Sequence, residues 1–246
     1  MEGTEEFILK KREMTFRDRV WYVFEGNLYR NVTEISSIME SFPVKKHEFI
    51  LEVGAGSGRF TKVFTEAGAE VVALDISRNS LKTNRKKTRC HAIVADLCYL
   101  PFRDSVFDKA AALHVFQYVP SHKGRLKGLR EIKRVVKERA LFVIEVYNFR
   151  FWDRIKMNGK EGFHVRVNPP IYYYRFDKRE FKSTLASVFS RIIAIKPTLI
   201  FHPVLDTTRI GEVPTIVRMF QTFEKLLMRT PIPYVIACGV ACVCQK

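Results

Sequence analysis

Short apolar runs recur along the chain, and most are followed by a segment with helical spacing. They fall at about 47–53, 70–75, 91–96, 107–114, 141–146, 191–200 and 235–244. Runs that are apolar at nearly every position read as strands covered on both faces. Strands of this kind alternating with helices predict an α/β fold with a doubly wound sheet.

The helical segments are set by apolar spacing. In 13–42, Trp21, Phe24, Leu28, Val32, Ile35 and Ile38 recur three and four apart. A helix from Arg59 turns Phe60, Val63 and Phe64 inward and stops near Gly68. The segment at about 77–89 is basic, with little apolar face beyond Leu81. The segment 122–137 buries Leu126, Leu129, Ile132 and Val136, while Lys123, Arg125, Lys127, Arg130, Lys133 and Lys137 form its other face. Asp177 is a candidate N-cap for a helix at about 177–189, with Glu180 completing a capping-box-like pair. After Pro214, Ile216, Met219, Phe220, Phe223 and Leu227 predict a helix docked on the protein's own core rather than on lipid.

The first strand leads into the densest chemistry. Ile50-Leu51-Glu52-Val53 runs into Gly54-Ala55-Gly56-Ser57-Gly58, and a helix follows. Backbone N–H groups and a helix N-terminus then face whatever binds there. Dinucleotide loops use G-x-G-x-x-G to cradle a pyrophosphate. This loop is G-x-G-x-G with Glu52 just before it. A carboxylate there repels phosphate and suits a cationic ligand. S-adenosylmethionine (SAM) has a sulfonium and an ammonium and no phosphate. Asp75 ends the second strand, where an acid accepts from both ribose hydroxyls. Asp96 ends the third and is placed to accept from an adenine amino group.

The loop and these three acids resemble the class I SAM-dependent methyltransferases. The likeness is to the large group related to the ubiquinone/menaquinone methyltransferases, the type 11 methyltransferase domain. Leu100-Pro101-Phe102 with Phe107-Asp108 resembles that group's "LPF…FD" element. Phe116-Gln117-Tyr118-Val119 sits where the group often has Leu-Glu/His-His-Val, and Glu131-Ile132-Lys133-Arg134-Val135 resembles its "E-x-x-R-V-L" helix. The close likeness covers about 47–147. One departure is Lys137-Glu138-Arg139-Ala140, where the group often turns with Lys-Pro-Gly-Gly.

The resemblance implies a seven-stranded sheet of order 3-2-1-4-5-7-6 with strand seven antiparallel. It implies one domain over 1–246: an N-terminal helical lid at 1–45, a SAM-binding core at 46–147, a substrate cap at 148–176, and C-terminal strands and helices at 177–246. It assigns SAM as cofactor. Glu52 would hold the ammonium end, and Val53, Gly54, Ala55, Gly56 and Gly58 would line the loop. Asp75 would bind the ribose, Ile76 pack on the adenine, and Asp96 and Leu97 meet its edge. Ala112, Leu113 and His114 would offer backbone groups near the methionine part.

The implied activity is methyl transfer by in-line displacement. Such a reaction needs positioning and exclusion of water, and needs a base only when the nucleophile arrives protonated. His114, His164 and Tyr173 are the candidate bases or orienting groups, and the cap's Tyr172 and Tyr174 belong with them.

The segment 148–176 breaks the α/β rhythm. It interleaves aromatics such as Phe151, Trp152 and Tyr172–Tyr174 with cations such as Arg154, Lys160 and Arg175. It leaves strand five at the edge where open α/β sheets bind ligands. Aromatics beside cations suit an aryl, isoprenoid or nucleobase group. Asn168-Pro169-Pro170 reads as a turn.

Composition adds two constraints. The formal charge is +16, with 42 basic and 26 acidic residues. That favours an anionic partner. The expected acceptor is a small or lipid-like molecule, an anionic one included; RNA is the alternative partner, and SAM binding without transfer is a second alternative. The five cysteines are an odd number without a disulfide framework and fit a reducing cytoplasm. Cys238, Cys242 and Cys244 share one face of strand seven with Ile236 and Val240, while Val235, Ala237, Ala241 and Val243 line the other. That pattern predicts an interior strand, and no metal is expected. Met1–Arg12 lacks a signal peptide's apolar segment. No run approaches the roughly 20 apolar residues of a membrane span.

Overall fold

The computed structural model of the protein describes residues 2–19, 27–156, 159–165, 167–201, 205 and 209–246. The sheet strands are β1 (Phe49–Val53), β2 (Glu70–Asp75), β3 (His91–Val94), β4 (Phe107–Leu113), β5 (Val136–Tyr147), β8 (Arg191–Thr198) and β9 (Gly239–Gln245). A separate hairpin, β6 (Glu161–His164) with β7 (Ile171–Tyr174), lies between β5 and β8 in the chain. The seven-stranded sheet runs β3-β2-β1-β4-β5-β9-β8. Counting only its own strands, this is the expected order 3-2-1-4-5-7-6. β1 to β5 pair in parallel, and β9 is antiparallel to both neighbours.

Residues alternate between two cores, as the pleat requires. Leu51, Val53, Ala110 and Ala112 face α5 (His122–Val135) and α7 (Lys178–Ala186) through Leu129, Ile132, Phe181 and Leu185. Ile50, Ala111 and Leu113 face α2 (Leu28–Ser41) and α3 (Arg59–Glu66) through Ile38, Phe60 and Phe64. Each fully buried Leu or Phe contributes about 1.5–3 kcal/mol. β9 is buried on both faces, with Val240, Cys242 and Cys244 in the first core and Ala241 and Val243 in the second. All five cysteines are free thiols.

Caps set the helix starts. Ser77 accepts from the Ser80 N–H at the head of α4 (Arg78–Lys87), and Ser121 accepts from Gly124 at the head of α5. Asp177 caps α7 through the Glu180 N–H at 2.9 Å. The Glu180 carboxylate does not close the box; it takes bonds from Tyr174 Oη at 2.5 Å and Lys160 Nζ at 2.7 Å.

The structure departs from the pattern in five places. The N-terminal segment is two helices, α1 (Glu2–Arg19) and α2, rather than one at 13–42; Trp21 and Phe24 lie outside the described residues. β5 begins at Val136, and Arg139 adopts φ 61° in the stretch where the resemblance expected a glycine turn. Strand seven starts at Gly239, because Pro233–Ile236 form a short helix, α9. The basic face of α5 is partly consumed: Arg125 is buried, donating to the Val119 carbonyl at 2.9 Å beneath the Tyr174 ring, and Lys133 donates to the Val188 carbonyl at 2.7 Å. In α8 (Pro214–Leu227), Met219 and Phe223 face outward, while Val217 and Glu224 are buried.

Candidate functional site

Gly54 leaves β1 with φ 73°, and the N–H groups of Gly54 and Ala55 both donate to the Leu74 carbonyl, at 2.7 and 3.0 Å. A Cβ on Gly54 would lie 2.5 Å from Val115 Cβ, and one on Gly58 would lie 2.4 Å from Asn84 Oδ1. These two glycines are needed for close approach within the protein. Gly56 is different: at φ 53° its Cβ position has nothing within 4 Å. That open side is where a ligand can reach the backbone.

Asp75 ties the loop to β2. Its Oδ2 accepts from the Gly56 N–H and its Oδ1 from the Ser77 N–H, both at 2.8 Å. Burial pushes its carboxyl up, while these two bonds and Arg17 pull it back. Glu52 is buried and accepts from the Thr61 hydroxyl at 2.5 Å. Burial, with Asp75 adding its charge, pushes Glu52 up to about 8. A carboxyl held in this way gains most from a cationic ligand. Gln117 adds a buried side-chain oxygen with no hydrogen-bond partner among the described residues. The open Gly56, the uncompensated Glu52 and the orphaned Gln117 oxygen fit a ligand with ammonium and sulfonium charges.

Helix α1 packs beside the ends of β2 and β3. Asp18 accepts from Ser77 Oγ at 2.7 Å and from the Asn79 N–H at 3.2 Å. Asp96 accepts from the Cys98 N–H at 2.9 Å, and its other oxygen pairs with Lys10 Nζ at 2.8 Å. Leu97 is buried against α5, where a Cβ on Gly128 would sit 2.1 Å from its Cδ1.

At the end of β4, His114 has φ 58° and donates its backbone N–H to the Glu145 carbonyl at 3.0 Å. Its Nε2 meets the carboxylate of Glu34, which α2 supplies. Glu34 is fully buried and also pairs with Arg30 at 3.2 Å and with Arg59. Burial pushes Glu34 up, but His114, Arg59 and Arg30 outweigh it and hold it well below the usual carboxylate range. Glu145, on β5, moves the other way: burial and the Glu34 charge raise it well above that range. The Thr198 hydroxyl donates to Glu145. Burial, with the two arginines, lowers the His114 imidazole despite Glu34. A neutral His114 that donates from Nε2 to Glu34 keeps Nδ1 as its acceptor, 3.5 Å from Gln117 Nε2.

Ligand atoms of Glu34, His114 and Glu145 lie within 4.8 Å of one another, close enough for a metal ion. Arg30 and Arg59 already neutralise Glu34 from the protein side, so the trio reads as a proton-sharing group. Sequence reasoning named His114 and missed Arg30, Glu34 and Glu145. A charged pair four apart on the inward face of an apolar helix was the available signal for the first two.

The cap completes the wall. The β6–β7 hairpin sets the His164 ring 4.5 Å from Tyr173 and 6.4 Å from both Tyr118 and Tyr147. Tyr118 and Tyr147 share a hydroxyl contact at 3.0 Å, and Tyr147 lies 6.0 Å from the His114 ring. The three candidates His114, His164 and Tyr173 are therefore linked through one aromatic cluster. Arg17 stacks over Tyr118 at 4.8 Å and Arg175 over Tyr173 at 4.7 Å.

The sheet order resembles that of solved SAM-dependent methyltransferases. Residues 51–144 match the family model described as a methyltransferase domain. An uncharacterized protein of Methanocaldococcus jannaschii is 33% identical over 122 residues, 50% of this chain and 45% of that protein. The ubiquinone/menaquinone biosynthesis C-methyltransferase of Proteus mirabilis is 30% identical over 140 residues, 48% of this chain and 55% of that one. The solved S-adenosylmethionine-dependent methyltransferase of Mesorhizobium loti superposes with a TM-score of 0.60 at 17% identity, covering 87% of this chain and 97% of that one. The chain spans about half the length of the curated relatives it matches.

Proposed function

We propose that the protein is a SAM-dependent methyltransferase whose acceptor is a small or lipid-like molecule with an apolar or aromatic body and an anionic group. The observation that carries this is the aromatic cluster that joins His114 to the cap. It comprises Tyr118, Tyr147, His164 and Tyr173, with Arg17 and Arg175 stacked on its rings. Such a cluster suits a flat or apolar group beside negative charge.

SAM would supply a methyl group already activated by its sulfonium. In this chain, Glu52 and the Gly54–Gly58 loop would hold the amino-acid end, and Asp75 the ribose. His114 would take the acceptor's proton at Nδ1, and Glu34 would stabilise the resulting imidazolium and fix the ring, as an orienting carboxylate does in a triad. The cap and α1 would keep water out. The relative named for ubiquinone/menaquinone biosynthesis supports a lipid-like acceptor. The net charge supports RNA instead, but Arg125 and Lys133 of the α5 stripe are spent on internal carbonyls.

The test is methyl transfer from labelled SAM to fractionated cell extract. Label in the organic-soluble fraction, lost in His114→Asn, supports the reading; label in tRNA overturns the acceptor class. Calorimetry should show Asp75→Ala weakening SAM binding by about tenfold or more, and unchanged affinity would reject the cofactor assignment.

A further inference from the structure

Helix α8 shows solvent two adjacent rows. Met219, Phe223 and Leu226 follow i, i+4, i+7 and are 61%, 50% and 55% exposed. Arg218, Lys225 and Arg229 run one position earlier on the spiral and are exposed as well. The inward row is accounted for: Val217 and Glu224 are buried, Tyr29 holds Glu224, and Phe220 meets Phe201 at 4.9 Å. The helix is therefore docked on the protein by this face; in the apolar row Phe223 also stacks on Phe201 at 5.8 Å with half of its surface exposed, while Met219 and Leu226 meet solvent.

The pattern continues beyond α8. Ile232 and Val235 are exposed at α9, which packs against α6 (Phe151–Ile155). On α6, Trp152 and Ile155 are 54% and 56% exposed. Its one acid, Asp153, is buried and bound by Arg150 at 3.0 Å. Within 213–236 the one acid is the buried Glu224. An exposed apolar row flanked by cations, with no exposed carboxylate on these segments, matches a surface that is both oily and negative.

We propose that α8, with α9 and α6, is a docking face for an anionic lipid bilayer, lying in the headgroup plane. No described helix is long and apolar enough to cross a membrane, so the contact is peripheral. α6 follows the end of β5 and α9 precedes the start of β9, while α8 packs against α2, which carries Glu34. The docking does not rest on the proposed acceptor and is measured without SAM.

Sedimentation with vesicles of phosphatidylcholine, with and without phosphatidylserine, tests it. Binding should require phosphatidylserine. It should fall by about tenfold or more in Lys225→Glu/Arg229→Glu and in Phe223→Ser/Leu226→Ser. Lys82→Glu/Lys86→Glu on α4, a basic face with no apolar row, makes the same charge change and should cost less than about threefold. Trp152→Ser, on a different element, should also weaken binding, and calorimetry with SAM checks that each variant is folded. The proposal is overturned if neutral vesicles bind equally, if no vesicle binds, or if the α4 variant loses as much as the α8 one. It is also overturned if Phe223→Ser/Leu226→Ser converts a dimer to a monomer, since a second copy would then cover the face.

Discussion

The two halves of the site are built from different materials. On the cofactor side, the backbone does most of the work: Gly54, Gly56 and Gly58 at positive φ, with amides turned onto Leu74 and Asp75. On the proposed acceptor side, side chains from distant elements converge: Glu34 from α2, His114 after β4, Glu145 from β5 and Thr198 from β8. A backbone cradle needs only contiguous sequence, whereas a side-chain constellation needs the whole sheet assembled.

That contrast can be broken by mutation. The largest effect is expected on the proposed acceptor side, where Glu34→Ala removes the carboxylate that faces the buried Arg30 and the half-buried Arg59. It should cost about 3–5 kcal/mol in denaturant unfolding. His114→Asn keeps a residue that tolerates the left-handed backbone. It should lower methyl transfer by about 100-fold or more with SAM affinity unchanged, if the imidazole is the base. A parallel loss of SAM affinity would move His114 into the cofactor half.

On the cofactor side, Gly54→Ala forces a Cβ to 2.5 Å from Val115 and should cost more stability in denaturant unfolding than Gly56→Ala, whose Cβ meets no protein atom and should instead weaken SAM binding in calorimetry. The same comparison extends to pH. Glu52 at about 8 in the folded protein, against an ordinary 4.5, takes up a proton on folding. Its contribution to stability is therefore present below pH 4.5 and is lost as the pH rises toward 8. Glu52→Gln should flatten that part of the stability profile while weakening SAM binding by about tenfold. The smallest effect is outside both halves: Arg139→Gly, at φ 61° on the exposed start of β5, should stabilise by about 1 kcal/mol.

The same division explains what could be read from the chain. Gly54–Gly58, Asp75 and Asp96 sit at ends of periodic apolar runs, so their placement follows from local pattern. Glu34 and Glu145 carry no such mark. Glu145 lies inside an apolar strand, and its partners Glu34 and Thr198 are 111 and 53 residues away in the chain. The α8 error has the same root. Met219 and Phe223 satisfy helical spacing as well as Val217 and Phe220 do, and only the surrounding fold decides which row turns inward. The split of 13–42 into two helices was hidden because the apolar spacing continues across the break.

The position of β9 has a consequence for synthesis. It sits between β5 and β8 and bonds to both, yet it is the last of the three to be made. Until Gly239–Gln245 emerges, the hydrogen-bonding flank of β5 has no partner in the order the finished sheet adopts. The nascent chain therefore carries an apolar, unpaired edge through the translation of nearly a hundred residues, which is the interval in which a chaperone or a covering helix matters most.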